Sequence, residues 1–194
     1  MKKLLMFALL AIVAFTGTTM AATFDIDPVH SSVGFKVKHM VVSNVRGSFG
    51  EFEGVIEFDE SAPTSGTVSA TIAMTSIDTG DAKRDDHLRG ADFFDVATHP
   101  TMSFVSTGLK AAGDDWILSG DLTLHGVTKA VELELEYNGS VDDPWGNHRI
   151  GFTAEGTIDR GDFGITWNNT LDKGGLAVGN TVTVQLEIEA IRQK

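Results

Sequence analysis

The chain has 194 residues, 42% of them hydrophobic and 22% charged, with 15 basic residues against 27 acidic ones and a formal charge of −12 at pH 7. That acidity is expected to repel nucleic acid and anionic lipid headgroups and argues against a polyanion partner. The complete lack of cysteine removes disulfides, thiol catalysis, thiolate metal sites and lipidation at a mature N-terminal cysteine.

Met1-Lys2-Lys3, the apolar run from Leu4 to Phe15 and the exit Thr16-Gly17-Thr18-Thr19-Met20-Ala21-Ala22 have the three-part form of a secretory leader. Cleavage is expected after Ala21 or Ala22, which assigns residues 1–22 to a removed signal peptide and residues 23–194 to one exported domain. Loss of Lys2 and Lys3 leaves 13 basic residues against 27 acidic ones, a charge of −14. No later stretch approaches the roughly 20 apolar residues that a membrane helix needs, so no stable membrane insertion is expected.

Beyond the leader, period-two alternation dominates, as it does in strands with one dry and one wet face. Eight runs carry it, near residues 24–39, 45–58, 66–75, 101–109, 115–125, 129–139, 148–162 and 180–191. Phe35 and Val37 alternate with Lys36 and Lys38 in the first, and the second supplies Phe49, Phe52 and Phe58. In the third, Val68, Ala70 and Ile72 oppose Ser69 and Thr71; Phe104 falls in the fourth. Leu122 and Leu124 belong to the fifth, and Leu133 in the sixth stands between Glu132 and Glu134. Ile150, Phe152, Ala154, Gly156 and Ile158 alternate in the seventh, and the eighth sets Val182, Val184, Leu186 and Ile188 against polar neighbours. Turn-forming segments such as Asn138-Gly139-Ser140 and Asp142-Asp143-Pro144 separate the runs, and short links imply antiparallel neighbours. One insert, Asp81 to Asp95, does not alternate and predicts a short helix with Asp81 as its N-cap and Gly90 as its stop.

The predicted fold is therefore all-β, an eight-stranded antiparallel barrel with one short helical insert. Such a barrel either fills its interior with side chains or encloses one small ligand. The phenylalanines could pack a solid core, whereas Ala70, Gly120, Ala154 and Gly156 beside them are expected to leave room.

Several segments together resemble the YceI-like family of polyisoprenoid-binding, lipocalin-like periplasmic proteins. They are Asp27-Pro28-Val29-His30-Ser31-Ser32 with His39; Gly47-Ser48-Phe49; Arg84-Asp85-Asp86-His87-Leu88-Arg89 leading to Asp92-Phe93-Phe94 and His99-Pro100; Gly120-Asp121-Leu122-Thr123-Leu124-His125-Gly126; and Arg160-Gly161-Asp162-Phe163-Gly164. The resemblance covers essentially the whole mature chain. It departs at Ala130, where the family often has proline, and at Gly161, where serine is common. It implies a periplasmic carrier that holds a long isoprenoid or other amphiphilic lipid inside the barrel without a reaction, and relatives suggest a possible homodimer.

On that reading the interior side chains Phe35, Val37, Phe49, Phe52, Phe58, Val68, Ile72, Phe93, Phe94, Phe104, Leu122, Leu124, Leu133, Phe152 and Phe163 would touch the lipid. Arg46, Arg84, His87 and Arg89 would contact a polar head, although Arg84 and Arg89, surrounded by aspartates, also suit local ion pairs. The Arg84 to Phe94 segment is expected to form a lid or rim at the barrel entrance. No separate cofactor and no metal are expected, since the six histidines lack a metal-ligand spacing. No catalytic residues are expected either, since Ser31, Ser48 and Ser119 lack a nucleophile elbow. Two other readings stay open: a barrel plugged by its own aromatics that docks a basic protein through Glu132, Glu134 and Glu136, and an enzyme acting on a bound lipid.

Overall fold

The computed structural model describes residues 21–171 and 174–194, so residues 1–20 of the expected leader lie outside the described residues. Among the described residues, eleven strands and one α-helix follow in order: β1 (Ala22–Ile26), β2 (Ser32–His39), β3 (Ser43–Phe49), β4 (Phe52–Phe58), β5 (Thr67–Ala73), β6 (Ile77–Asp78), α1 (Ala82–Arg89), β7 (Thr101–Ala112), β8 (Asp115–Leu124), β9 (Val127–Asp142), β10 (His148–Asp159) and β11 (Val178–Arg192).

These strands build an eight-stranded antiparallel barrel, because the first two expected runs are each interrupted once and the third, expected over 66–75, is carried past its end by β6. β1 and β2 both pair with β11, Phe24 opposite Arg192 and Val33 opposite Leu186, so they form one barrel position with a kink at residues 27–31. β3 and β4 continue each other in the same way, pairing with β2 and β1 respectively. β5 and β6 do so beside β4 and β3, across a 3₁₀ turn at Met74–Ser76. Each position pairs with its chain neighbour, and β1 closes the ring on β11.

The first kink has a local cause. Asp27 accepts from the Val29 N–H (3.0 Å) and lies 2.8 Å from His30 Nδ1, which turns the chain out of the ladder. The Ser31 hydroxyl then exchanges hydrogen bonds with the backbone of Glu189, donating to its carbonyl (3.1 Å) and accepting from its N–H (2.9 Å). A side chain thus replaces the ladder pair that the kink removes.

The upper end of the barrel carries Ala22, the 59–66 link, the β7–β8 and β9–β10 turns and the C-terminus. The lower end carries the β2–β3 hairpin, α1, the His125-Gly126 turn and the 160–177 link. At the lower end β6 has no ladder to β7 among the described residues, and α1 with residues 90–100 covers the gap. The helix starts as expected: the Asp81 side chain accepts from the Arg84 N–H. Gly90 ends it at φ −72°, without the left-handed conformation that glycine usually supplies at that place.

Two clusters fill the shell of the barrel. Phe24, Phe58, Ile150 and Phe152 belong to the upper one; Phe49, Met74, Ile77 and Phe163 belong to the lower one.

Candidate lipid-binding bore

The barrel is hollow. A cavity of about 260 Å³ runs between the two clusters, and its wall is hydrocarbon almost throughout. Inward-pointing Val33, Phe35, Val37, Leu122, Val184 and Leu186 are only partly buried although they face away from bulk solvent, because their exposed surface is the cavity itself. On β11 alone the lining extends from Val178 to Ile188. At about 3.3 Å per residue and a strand tilt near 40°, that gives a bore roughly 25 Å long.

Every residue expected to face a ligand lines this cavity except Phe163. Phe163 lies in the 3₁₀ turn Arg160–Phe163, where it is buried in the lower cluster and its carbonyl sits 3.1 Å from His125 Nδ1. The expectation that it faces the bore fails because β10 ends at Asp159 and the chain turns there, which carries Phe163 out of the barrel wall.

The glycines play a different part from the one expected. A Cβ on Gly120 would fall 2.2 Å from the Phe104 ring, and one on Gly156 would fall 2.5 Å from Leu133. Gly47 receives the Phe35 ring in the same manner, at 2.5 Å. These glycines do not add open volume at their own positions. They let large neighbours lie flat against the wall, and the bore stays clear in the middle.

None of the four expected head-group residues lines the cavity. Arg84 donates to the Thr79 hydroxyl (2.7 Å) and carbonyl (2.8 Å), and Arg89 donates to the carbonyls of Thr75 (2.9 Å) and Ile77 (2.8 Å). Both fasten α1 to the backbone leading through β6, assisted by Asp85, which accepts from the Thr79 N–H and hydroxyl. His87 lies 3.1 Å from Asp92 and sets its ring edge against Phe93 and Trp167. Arg46 is on the outer face, bonded to Gln185. The Arg84–Phe94 segment does cover the lower end, but through Leu88, Phe93 and Phe94, which reach the cavity.

The cation that does border the cavity is Arg160, which is 5% exposed. Its guanidinium donates to the carbonyls of Gly179 (3.0 Å), Ile165 (2.9 Å) and Trp167 (2.9 Å), drawing the 160–179 link across the lower end. Burial pulls its pKa below the ordinary arginine value, partly opposed by the charge of Asp159. The sequence carries no signal for this: Arg160 follows a strand end and has acidic neighbours on either side of Gly161, as surface arginines do.

A second charged cluster joins β1, β10 and β11 on the outside of the wall. Arg149 donates to Asp143 (2.7 Å), Asp27 (2.9 Å) and Glu189. Burial opposes ionisation of Asp143, but hydrogen bonds from Arg149, Asn147 and the Trp145 N–H outweigh it and hold that carboxyl well below the usual range. Asp27 is lowered too, burial again being outweighed, here by His30, Arg149 and the Val29 N–H. Asp27, His30 and Glu189 lie close enough together to ligate a metal ion, but Arg149 already supplies a cation to both carboxylates.

A closed meander barrel around an apolar bore defines the class of hollow eight-stranded barrels with lipocalin-like build. Residues 24–190 match the YceI-like domain, and the chain belongs to that family. It is similar to a UPF0312 protein of Pectobacterium atrosepticum, 43% identical over 195 residues that cover 100% of this chain and 98% of that one. Among solved structures, BcnA of Burkholderia cenocepacia superposes with a TM-score of 0.74 at 25% identity, covering 84% of this chain and 98% of BcnA. A polyisoprenoid binding domain from Saccharophagus degradans shares the fold with a TM-score of 0.64 at 17% identity, covering 89% of this chain and 99% of that domain.

Proposed function

We propose that this protein is an exported carrier that holds one long isoprenoid or similar amphiphilic chain, without covalent attachment, in the bore of its barrel. The observation that carries this reading is the continuous hydrocarbon cavity between the upper and lower clusters. A chain of about 30 heavy atoms at roughly 0.3 kcal/mol each yields about 9 kcal/mol, a sub-micromolar affinity obtained from burial alone. The Saccharophagus degradans domain is described as polyisoprenoid binding, which supports a prenyl chain as one ligand this fold accommodates. The leader-like N-terminus supports the periplasm as the place of action.

The same wall supports binding without turnover. Among the described residues, the side chains that border the bore are apolar apart from Thr67, Glu57 and Arg160, and Arg160 is committed to backbone carbonyls. The plugged-barrel alternative loses its premise because the interior is open. Its docking surface would be the outer groove bordered by Glu132, Glu134, Glu155 and Asp159.

Native mass spectrometry and solvent extraction of freshly isolated protein test the carrier reading. The expected result is one hydrocarbon-chain lipid per barrel, or uptake of added prenyl lipid at that ratio. Repeated recovery of empty protein that takes up no added prenyl or acyl lipid overturns it.

A further inference from the structure

The β2–β3 hairpin at the lower end is unusual in both its backbone and its surface. Its tip is Met40-Val41-Val42, and Met40 and Val41 have φ of 48° and 64°, the left-handed region that disfavours β-branched residues most. Asparagine or glycine would relieve that strain, and either would also be better solvated. Instead Val41 is 60% exposed and Val42 is 85% exposed. The Met40 N–H donates to the Ala177 carbonyl (2.8 Å), which places exposed Leu176 beside the tip and extends the apolar surface onto the 160–177 link.

The charge around this tip is opposite to that of the chain as a whole. From Ser32 to Gly50 there is no acidic residue, while Lys36, Lys38 and Arg46 lie on the outward face, Lys36 directly opposite Arg46 across the ladder. The acidic groove bordered by Glu132, Glu134, Glu155 and Asp159 begins on β10, where Gln185 of β11 bridges Glu155 to Arg46, and runs from there onto β9 and β8, away from the hairpin. Asp78 on β6 pairs with Ser48 on β3, and Asp86, Asp92 and Asp95 on and after α1 share the lower end, so the basic face is bounded by acidic residues on that flank. A basic patch beside an apolar tip, on a chain acidic elsewhere, orients the protein on an anionic surface.

We infer that the β2–β3 hairpin is a peripheral docking element for anionic lipid bilayers, with Val41, Val42, Met40 and Leu176 entering the interface and Lys36, Lys38 and Arg46 contacting lipid phosphates. An apolar tip with an adjoining basic face is the arrangement that binds such interfaces without spanning them. Docking in this orientation sets the lower end, where α1 rather than a ladder closes the wall, against the membrane. The inference goes beyond the carrier reading, because docking is measurable without any ligand in the bore.

The test uses vesicles of phosphatidylglycerol and phosphatidylethanolamine, with phosphatidylcholine vesicles as the neutral surface. Because the chain has no cysteine, an environment-sensitive dye can be placed at Ser43→Cys beside the tip, or at Asp114→Cys at the upper end. Expected results are co-sedimentation with the anionic vesicles that weakens as salt rises, and a dye response at position 43 but not at 114. Val42→Asp and the pair Lys36→Glu/Lys38→Glu are each expected to lower the vesicle-bound fraction at least fivefold. Val42→Asp should leave the uptake of farnesol from solution as in the wild type. Vesicle binding unchanged in both variants, a response confined to position 114, or a vesicle-independent dimer that Val42→Asp dissolves would each overturn the inference. The last outcome would assign the tip to a second copy of the chain. Failure of farnesol uptake in the wild type would bear on the carrier reading alone.

Discussion

The Phe104 ring on β7 occupies the space where Gly120 on β8 lacks a side chain, so closely that a Cβ built on Gly120 would lie 2.2 Å from the ring. Nearby, Val105 pairs with Asp121 and Phe104 with Leu122, so the ring reaches diagonally across the ladder to lie on the glycine. Phe104 also lines the cavity, so a ring displaced from the glycine would take up space in the bore.

Gly120→Ala is therefore expected to turn Phe104 inward. The variant should remain a barrel but lose about 1–3 kcal/mol of stability, the usual range for overpacking. Its capacity for a long-chain lipid should fall more than its capacity for a short one. Urea unfolding and titration with prenyl alcohols of two lengths check both outcomes.

Arg160→Met should loosen the lower end. The substitution keeps apolar volume but leaves the carbonyls of Gly179, Ile165 and Trp167 without their donor. Buried acceptors without partners make a cost of about 2–4 kcal/mol the expected outcome. Amide exchange should accelerate first in residues 164–179, ahead of the β8–β9 ladder, and bound lipid should leave faster. Uniform loss of protection throughout the barrel would contradict a clamp confined to that link.

Arg84→Ala/Arg89→Ala should leave discrimination between a phosphorylated and an uncharged prenyl chain unchanged, because both guanidinium groups are engaged with the Thr79, Thr75 and Ile77 backbone and neither borders the bore. The double variant should instead increase exchange in α1 and residues 90–96. Selective loss of affinity for the phosphorylated ligand would return these arginines to a head-group role.

Acid should weaken the barrel through Arg149. The folded-state pKa values of Asp27 and Asp143 are depressed, so their stabilising contribution is complete above the unfolded carboxylate value of about 3.9 and is lost as pH falls through the lower folded values. Arg149→Met should reduce the melting temperature at pH 7, and the gap from the wild type should narrow as pH falls below about 4. Melting curves recorded between pH 7 and pH 2 give the comparison; a gap that stays constant would exclude this cluster as the source of the acid dependence.

The eight barrel positions were legible because alternation is a local property: a pleated backbone sends neighbouring side chains to opposite faces wherever the strand lies. The kinks at residues 27–31 and at Met74–Ser76 leave only a change of phase in the sequence: Phe24 and Ile26 keep one phase and Val33, Phe35 and Val37 the other, which marks a break without showing that both pieces pair with β11 as one barrel position. The helix over Ala82–Arg89 was legible from its break in period and from its Asp81 cap. The destination of its arginines was not, since the carbonyls of Thr75 and Ile77 become available only when the helix folds back on β6.

Taken alone, the amino-acid order determined an acidic, cysteine-free, meander-forming chain and chose which side chains point inward. Tertiary structure decided that the inside is hollow, that Arg160 rather than Arg84 or Arg89 borders it, and that an apolar, strained hairpin tip stands exposed at the lower end. The division has a physical reason. Inward or outward is set by each residue's own backbone, whereas empty or full depends on how rings such as Phe104 and Phe35 settle on glycines of neighbouring strands.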